Sequence, residues 1–259
     1  MKVEGSRVLV TGASSGIGAA LARMLATNGA TLGLVARRED RLAEVLADVR
    51  SSAPESRLWV ADLADVEQAE TVALEAWDAF GHLDCIVNNA GVPMRRHTTR
   101  LDYPTLEWVM RVNFFAPARM TMALLPKMTN RGEGMIVNVS SVAGRLGNAN
   151  EAAYSASKFA LCGWSEAIAV DLWDSGIKIR LVNPGPIDTE IWDLPDNDDP
   201  LYSGPKISAE EMAKGIVDAM EGDTFEHYVP DMRSIIESKT TNPETFIEGM
   251  AAMLRSAQG

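Results

Sequence analysis

Residues 8–18 read Val8-Leu9-Val10-Thr11-Gly12-Ala13-Ser14-Ser15-Gly16-Ile17-Gly18. Three consecutive apolar residues make a short buried strand, and the glycines at 12, 16 and 18 end it in a tight turn. A helical apolar pattern follows over residues 16–28, then a second β-rich run over 31–35. Strand, glycine turn, helix and strand in that order form a βαβ unit. The spacing G-x-x-x-G-x-G differs from the G-x-G-x-x-G fingerprint, but the physics is shared. Glycines let backbone N–H groups approach a pyrophosphate, and the helix N-terminus behind them adds the positive end of its dipole.

The same alternation runs outward along the chain. Strands are expected over residues 8–10, 31–35, 58–60, 85–87, 135–139, 177–182 and 227–229, and helices over 16–28, 40–50, 66–80, 105–128, 153–175 and 209–220. Several strand segments are apolar throughout, as they must be when helices cover both faces of a parallel sheet. Right-handed crossovers then give a doubly wound, Rossmann-like α/β fold of about seven parallel strands. No repeat or low-complexity linker interrupts the order, so residues 1–259 are expected to form a single dinucleotide-binding and catalytic domain. The one abrupt shift, rich in Asp, Pro and Gly from Asp193 to Pro205, reads as a substrate-loop insertion at about residues 190–207. Residues 231–259 are amphipathic, match no motif and receive no role.

Bulk properties narrow the function. With 46% hydrophobic and 23% charged residues the composition is that of an ordinary globular protein. A net charge of −12 argues against a nucleic-acid surface, which needs concentrated positive charge. Cys85 and Cys162, the two cysteines, lie far apart in apolar stretches and read as buried thiols in a reducing, cytoplasmic setting. His82, His97 and His227 lack a second ligand at metal spacing, so no metal is expected. The short polar start and the lack of a bilayer-length apolar run lead to the expectation of a soluble protein without signal peptide or membrane span.

Thr11-Gly12-x-x-x-Gly16-x-Gly18 resembles the cofactor motif of the short-chain dehydrogenase/reductase family, and further matches follow in that family's order. Asp62-Leu63 after the third strand resembles the pair that meets the adenine. Asn88-Asn89-Ala90-Gly91 resembles the run after the fourth strand, and Asn113 the asparagine of the fourth helix. Residues 135–144, ending V-N-V-S-S-V-A-G, resemble the serine segment. Tyr154-x-x-x-Lys158 matches Y-x-x-x-K, and Asn183-Pro184-Gly185 matches the turn after the sixth strand. The resemblance covers roughly residues 5–190. It implies a nicotinamide-dependent oxidoreductase whose cofactor meets Gly12, Ser14, Ser15, Gly16, Ile17, Gly18, Asp62, Leu63, Asn89, Ala90, Gly91, Pro184 and Gly185. It also implies that Ile187 and Thr189 meet the nicotinamide carboxamide through backbone and hydroxyl.

Tyr154 and Lys158 stand four residues apart, on one face of a helix. A phenol with a pKa near ~10 is a poor base at neutral pH. A nearby ammonium and the positive charge of an oxidised nicotinamide both favour the phenolate. The resemblance implies that Tyr154 gives or takes the hydroxyl proton, while Lys158 tunes it and binds the nicotinamide ribose. The family's serine lies thirteen residues before its tyrosine, which selects Ser141 to hold the substrate oxygen and leaves Ser140 to satisfy backbone at the strand end. Asn113 lies in an apolar run, where an amide ordinarily bonds backbone. The matching asparagine of the family disturbs its helix and holds a water in a proton relay through the lysine.

The second strand ends Leu34-Val35-Ala36-Arg37-Arg38, with Ala36 where NAD-binding relatives place an acid. Arg37 follows, and a guanidinium can grip a 2′-phosphate with paired charged hydrogen bonds. Arg38 and Ser15 are expected to assist. NADP(H) is therefore the expected cofactor, with NAD(H) the weaker alternative. Ile191, Trp192, Leu194 and Tyr202 in the insertion point to a lid over a hydrophobic carbonyl or secondary alcohol of steroid, fatty-acyl or aryl type. The apolar surplus of the helix over 105–128, together with the resemblance, implies a homodimer or homotetramer built on the helices that carry Phe115 and Leu161. Two alternatives stand beside this reading: a non-catalytic dinucleotide-binding regulator, and a nicotinamide-dependent dehydratase or epimerase. The joint presence of Asn113, Ser141, Tyr154 and Lys158 argues against the regulator. A Ser-His-Asp hydrolase is set aside because no histidine follows at a suitable strand end.

Overall fold

Seven short segments pair side by side in the computed structural model, which describes residues 1–258. They are β1 (Arg7–Thr11), β2 (Thr31–Ala36), β3 (Arg57–Val60), β4 (Cys85–Asn88), β5 (Gly134–Val139), β6 (Ile177–Pro184) and β7 (Glu226–Val229). All pairings are parallel, in the order β3-β2-β1-β4-β5-β6-β7. Each expected strand is present, its ends displaced by at most two residues.

Alternation within a strand assigns side chains to the two faces. Val8 and Val10 of β1 join Leu32 and Leu34 in a core against α1 (Gly16–Thr27), α2 (Glu39–Arg50) and α7 (Ala209–Glu221), through Leu21, Leu25, Leu42 and Ile216. Leu9 and Ile86 face the other way, onto Trp77 of α3 (Val66–Phe80), Leu124 of α5 (Ala116–Arg131) and Ile168 of α6 (Ala152–Asp171). Both faces are thus covered, which is why the central strands β1, β2, β4 and β5 are largely apolar. Cys85 and Cys162 are buried free thiols. No helix among the described residues is long and apolar enough to cross a membrane.

Two segments depart from the sequence expectation. The single helix expected over 105–128 is divided into α4 (Tyr103–Met110), a π-helical turn (Arg111–Phe115) and α5. Pro117 supplies the reason: it has no N–H to give the carbonyl of Asn113, so the regular i→i−4 ladder cannot run through this point. Beyond β7, where no element was assigned, the chain forms α8 (Arg233–Thr241) and α9 (Pro243–Gln258), which pack on each other. Gly259, the last residue of that segment, lies outside the described residues.

Neighbouring strands β1 and β4 send their chains on to opposite faces, to α1 and α5, so a crevice opens at their C-terminal ends. In sheets of this kind such a crevice is where ligands bind.

Candidate active site

The crevice begins at the glycine turn. Gly12 has φ +68°, and a Cβ there would lie 2.8 Å from the Cα of Ala90; at Gly18 a Cβ would lie 2.2 Å from the carbonyl oxygen of Gly12. Both positions exclude any side chain. Asn89 secures the two strand ends, its Nδ2 donating to the carbonyl of Thr11 at 2.9 Å, while the Thr11 hydroxyl accepts from the N–H groups of Asn89 and Ala90, both at 3.0 Å. Ser15 occupies the N-cap of α1 without capping it, and no acid stands in the first turn. The first N–H groups of α1 therefore have no side-chain cap and no acid from their own turn, as an anion-binding helix end requires.

A groove of about 260 Å³ runs from this turn. Gly12, Ser14, Ser15, Gly16, Ile17 and Gly18 line it with Arg37, Arg38, Asp62, Leu63, Asn89, Ala90, Gly91 and Thr189. Arg37 points to Asp62, 3.9 Å away, and Arg38 turns instead towards the glycine loop, reaching Ser14 at 3.3 Å and Ser15 at 2.5 Å. Arg41 and Glu190, neither singled out from sequence, join this group: the carboxylate of Glu190 pairs with Arg38 at 2.5 Å and with Arg41 at 2.6 Å. Arg41 is detectable only as a cation one turn beyond Arg38 on α2; nothing local marks Glu190.

Beyond the groove the crevice deepens into a cavity of about 350 Å³ that contains Ser141, Tyr154 and Lys158 together, with Pro184, Gly185 and Ile187 on the side of β6. The Ser141 hydroxyl accepts from the Ala143 N–H at 3.1 Å and lies in the same cavity as Tyr154. Ser140 turns inward, where its hydroxyl donates to the carbonyl of Lys158 at 3.2 Å. Lys158 is buried, its ammonium 5.8 Å from the Tyr154 ring centroid and donating to the Val139 carbonyl at 3.0 Å. Burial lowers its pKa to about 8. Burial also pushes the Tyr154 phenol up to about 12, against the lowering influence of the Ser141 hydroxyl. Desolvation dominates this shift, and the nearby Glu151 carboxyl adds to it.

Asn113 stands in the π-helical turn, fully buried. It does not touch Tyr154 or Ser141 through any hydrogen bond; its Nδ2 donates to the Val92 carbonyl at 2.9 Å and to the Ser157 hydroxyl at 3.0 Å, while its Oδ1 accepts from the Val92 N–H at 2.8 Å. A Cβ on Gly91 would lie 3.5 Å from both Asn113 Oδ1 and Lys158 Nζ, so the glycine leaves open the space between them.

Much of the remaining cavity wall is apolar. Ile191, Trp192, Leu201 and Tyr202 of the segment over residues 190–207 line one side; Ile187 bridges to Ile207, and Trp192 donates to the Ile187 carbonyl at 2.6 Å. Buried Arg95 ties this segment to the loop after β4, donating to the carbonyls of Ile191, Trp192 and Asp198 at 3.3, 2.7 and 3.0 Å. Met232, Ile235, Phe246, Met250 and Met253 of the C-terminal segment complete the wall. A polar end is formed by Asn148 and Glu151, joined at 2.8 Å, and burial raises the Glu151 carboxyl above its ordinary value.

This geometry has close parallels among known proteins. A family model described as short chain dehydrogenase matches residues 6–199. A ketoacyl reductase of Nostoc sp. is 32% identical over 242 residues, covering 92% of this chain and 83% of its own. A short chain dehydrogenase/reductase of Burkholderia phymatum, solved in complex with NAD, superposes with a TM-score of 0.86 at 25% identity, over 95% of this chain and 96% of that one. A short chain dehydrogenase of Burkholderia cenocepacia, solved in complex with NADP, gives 0.81 at 28% identity, over 96% and 99% of the two chains. The chain belongs to the short chain dehydrogenase family of oxidoreductases.

Proposed function

We propose that the chain, as one domain, interconverts a hydrophobic carbonyl compound and its secondary alcohol with NADP(H) as preferred cofactor. The observation that carries this reading is the convergence of Ser141, Tyr154 and Lys158 in a cavity with an apolar far wall that adjoins the glycine groove. The residues fit a dinucleotide: the crowding at Gly12 and Gly18 leaves only backbone in the turn, and the uncapped start of α1 faces it. Gly12 to Gly18 and Asn89 to Gly91 would hold the phosphates and ribose, Asp62 and Leu63 the adenine, and Ile187 and Thr189 the nicotinamide end. When bound, the cofactor supplies or accepts the hydride.

The protein's own groups handle the proton. Ser141 donates to the substrate oxygen and holds it beside Tyr154. In reduction the neutral Tyr154 phenol gives its proton to that oxygen as charge builds there, and in oxidation the phenolate takes it back. Lys158, anchored on Val139, presents its positive charge to the phenolate and its remaining protons to the ribose. Asn113 ties the loop after β4 to α6 and so fixes Lys158 relative to Gly91. The Met- and Phe-lined wall suits a flexible apolar body such as a fatty-acyl group; the name of the Nostoc relative, a ketoacyl reductase, accords with this class. A homodimer or homotetramer is part of the proposal. Hydride-transfer assays on a panel of aryl, steroid and acyl ketones and alcohols, with both cofactors, test it. Cofactor binding without turnover on any member would favour a non-catalytic binder.

A further inference from the structure

Glu190 is the first residue of the segment over residues 190–207, next to Thr189, yet its carboxylate is held at the opposite side of the cofactor groove. Its Oε1 accepts from the Ser15 hydroxyl at 2.8 Å and pairs with Arg38 at 2.5 Å, and its Oε2 pairs with Arg41 at 2.6 Å. Arg38 donates in addition to Ser15 at 2.5 Å and Ser14 at 3.3 Å, so the donors form a closed set around one anion. Arg38, first of all, with Ser15 and Arg41, holds the Glu190 carboxyl down at about 2, against the upward pull of burial. A hydroxyl at the glycine turn and two guanidiniums beside the end of β2 are the donors that a phosphate on the adenosine ribose would use.

Resting on the cofactor reading above, we propose that Glu190 is a selectivity residue: its carboxylate fills the seat of the 2′-phosphate, and NADP(H) binds by displacing it from Arg38, Arg41 and Ser15. NAD(H), which brings no phosphate to this place, leaves the three contacts intact. Part of the attraction between the arginines and the 2′-phosphate is therefore spent in releasing Glu190, and preference for NADP(H) is smaller than Arg37 and Arg38 alone would give. The same exchange detaches the first turn of that segment from α2, so the adenosine end of the groove and the cavity wall share one contact.

Equilibrium titrations with NADP+, NAD+, adenosine 2′,5′-bisphosphate and 5′-AMP test the proposal on the wild type and on Glu190→Gln, a partly exposed position where the change is isosteric. The exposed character of the ion pairs sets the expected effect at about three- to tenfold tighter binding of the two 2′-phosphorylated compounds. NAD+ and 5′-AMP should change by less than about twofold. In an Arg38→Ala background the gain from Glu190→Gln should shrink, because the two residues act through one contact. Equal tightening of all four compounds, or none, overturns the proposal. If wild-type protein binds none of the four while remaining folded by circular dichroism, the cofactor reading itself fails, and this inference with it.

Discussion

The Asn113 side chain and the Val92 peptide exchange two hydrogen bonds, at 2.8 and 2.9 Å, so that an amide in a π-helical turn completes the backbone pairing of a loop that has no strand beside it. A third bond, to Ser157, extends the link to the helix of Tyr154. Asn113→Ala leaves the Val92 N–H and carbonyl buried without partners, each costing about 1–3 kcal/mol. A fall of several degrees in melting temperature should accompany lost turnover. Pro117→Ala separates structure from chemistry: it gives the Asn113 carbonyl an N–H partner without touching the side-chain bonds. The expected result is several-fold lower kcat at unchanged melting temperature; unchanged kcat would mean that this carbonyl takes no part in proton transfer.

Tyr154→Phe removes one hydroxyl and little volume. Turnover should fall by about a thousandfold or more, within the range of a lost acid–base group, while cofactor affinity and the circular dichroism spectrum stay near wild type. Measurable wild-type-like turnover in the purified variant would remove Tyr154 from the mechanism.

The direction of the Tyr154 shift makes the two reaction directions respond differently to pH. With the phenol pushed up to about 12, its proton-donating form is complete across neutral and mildly alkaline pH. Reduction, followed as kcat/KM, should not lose its acid between about pH 6 and 9, whereas oxidation, which needs the phenolate, should rise with pH over the same interval. A reductive profile that collapses around pH 7 through loss of this proton would contradict the assignment.

Lys158 links pH to stability. Its ammonium titrates near 8 in the folded chain against a reference of 10.5, so the unfolded chain binds the extra proton between these values. Stability should therefore rise with pH across this window, by up to roughly 3 kcal/mol from this group. Denaturant titrations of wild type and Lys158→Met at several pH values isolate the contribution: the variant's curve should lack that rise. Parallel pH dependences would show that Lys158 is not desolvated.

Two further expectations concern cofactor choice and assembly. Ala36→Asp with Arg37→Ala should move steady-state preference towards NAD(H), and Arg38→Ala should do so more strongly, since Arg38 is the guanidinium that reaches the glycine turn. Phe115, Met122 and Phe159 are 46%, 56% and 40% exposed, whereas Leu161 is buried, so a subunit contact on these helices would use the phenylalanines. Light scattering should show a dimer or tetramer at micromolar concentration and a smaller species for Phe115→Glu with Phe159→Glu. A monomeric wild type would refute the assembly.

What was legible in the sequence follows from the physics of each part. Parallel strands buried on both faces leave largely apolar runs, as in β1, β2, β4 and β5, whereas Glu226-His227-Tyr228-Val229 of β7 is recognised from its place in the strand–helix order. The glycine turn is legible because its crowding admits nothing else. The break at Asn113 is less visible, since Pro117 and Pro126 sit in a run whose apolar periodicity persists through the π-helical turn. Glu190 and Arg41 are 149 residues apart, and no local pattern joins them. The C-terminal helices are not legible because Met232, Phe246 and Met250 face a cavity, with neither a sheet period nor a motif to announce it.

The cavity walls divide unequally in what they let vary. Ile17, Asn89, Gly91, Thr189 and Ile191 border both the groove and the cavity. A change at any of them alters two affinities at once, and substrate preference cannot drift there without disturbing the nucleotide. The methionines and phenylalanine of α9 border the cavity alone. Their flexible side chains can be exchanged, enlarged or shortened with the nucleotide half untouched, which makes this helix the place where related chains, or an engineer, can retune the range of compounds accepted at little cost to hydride chemistry.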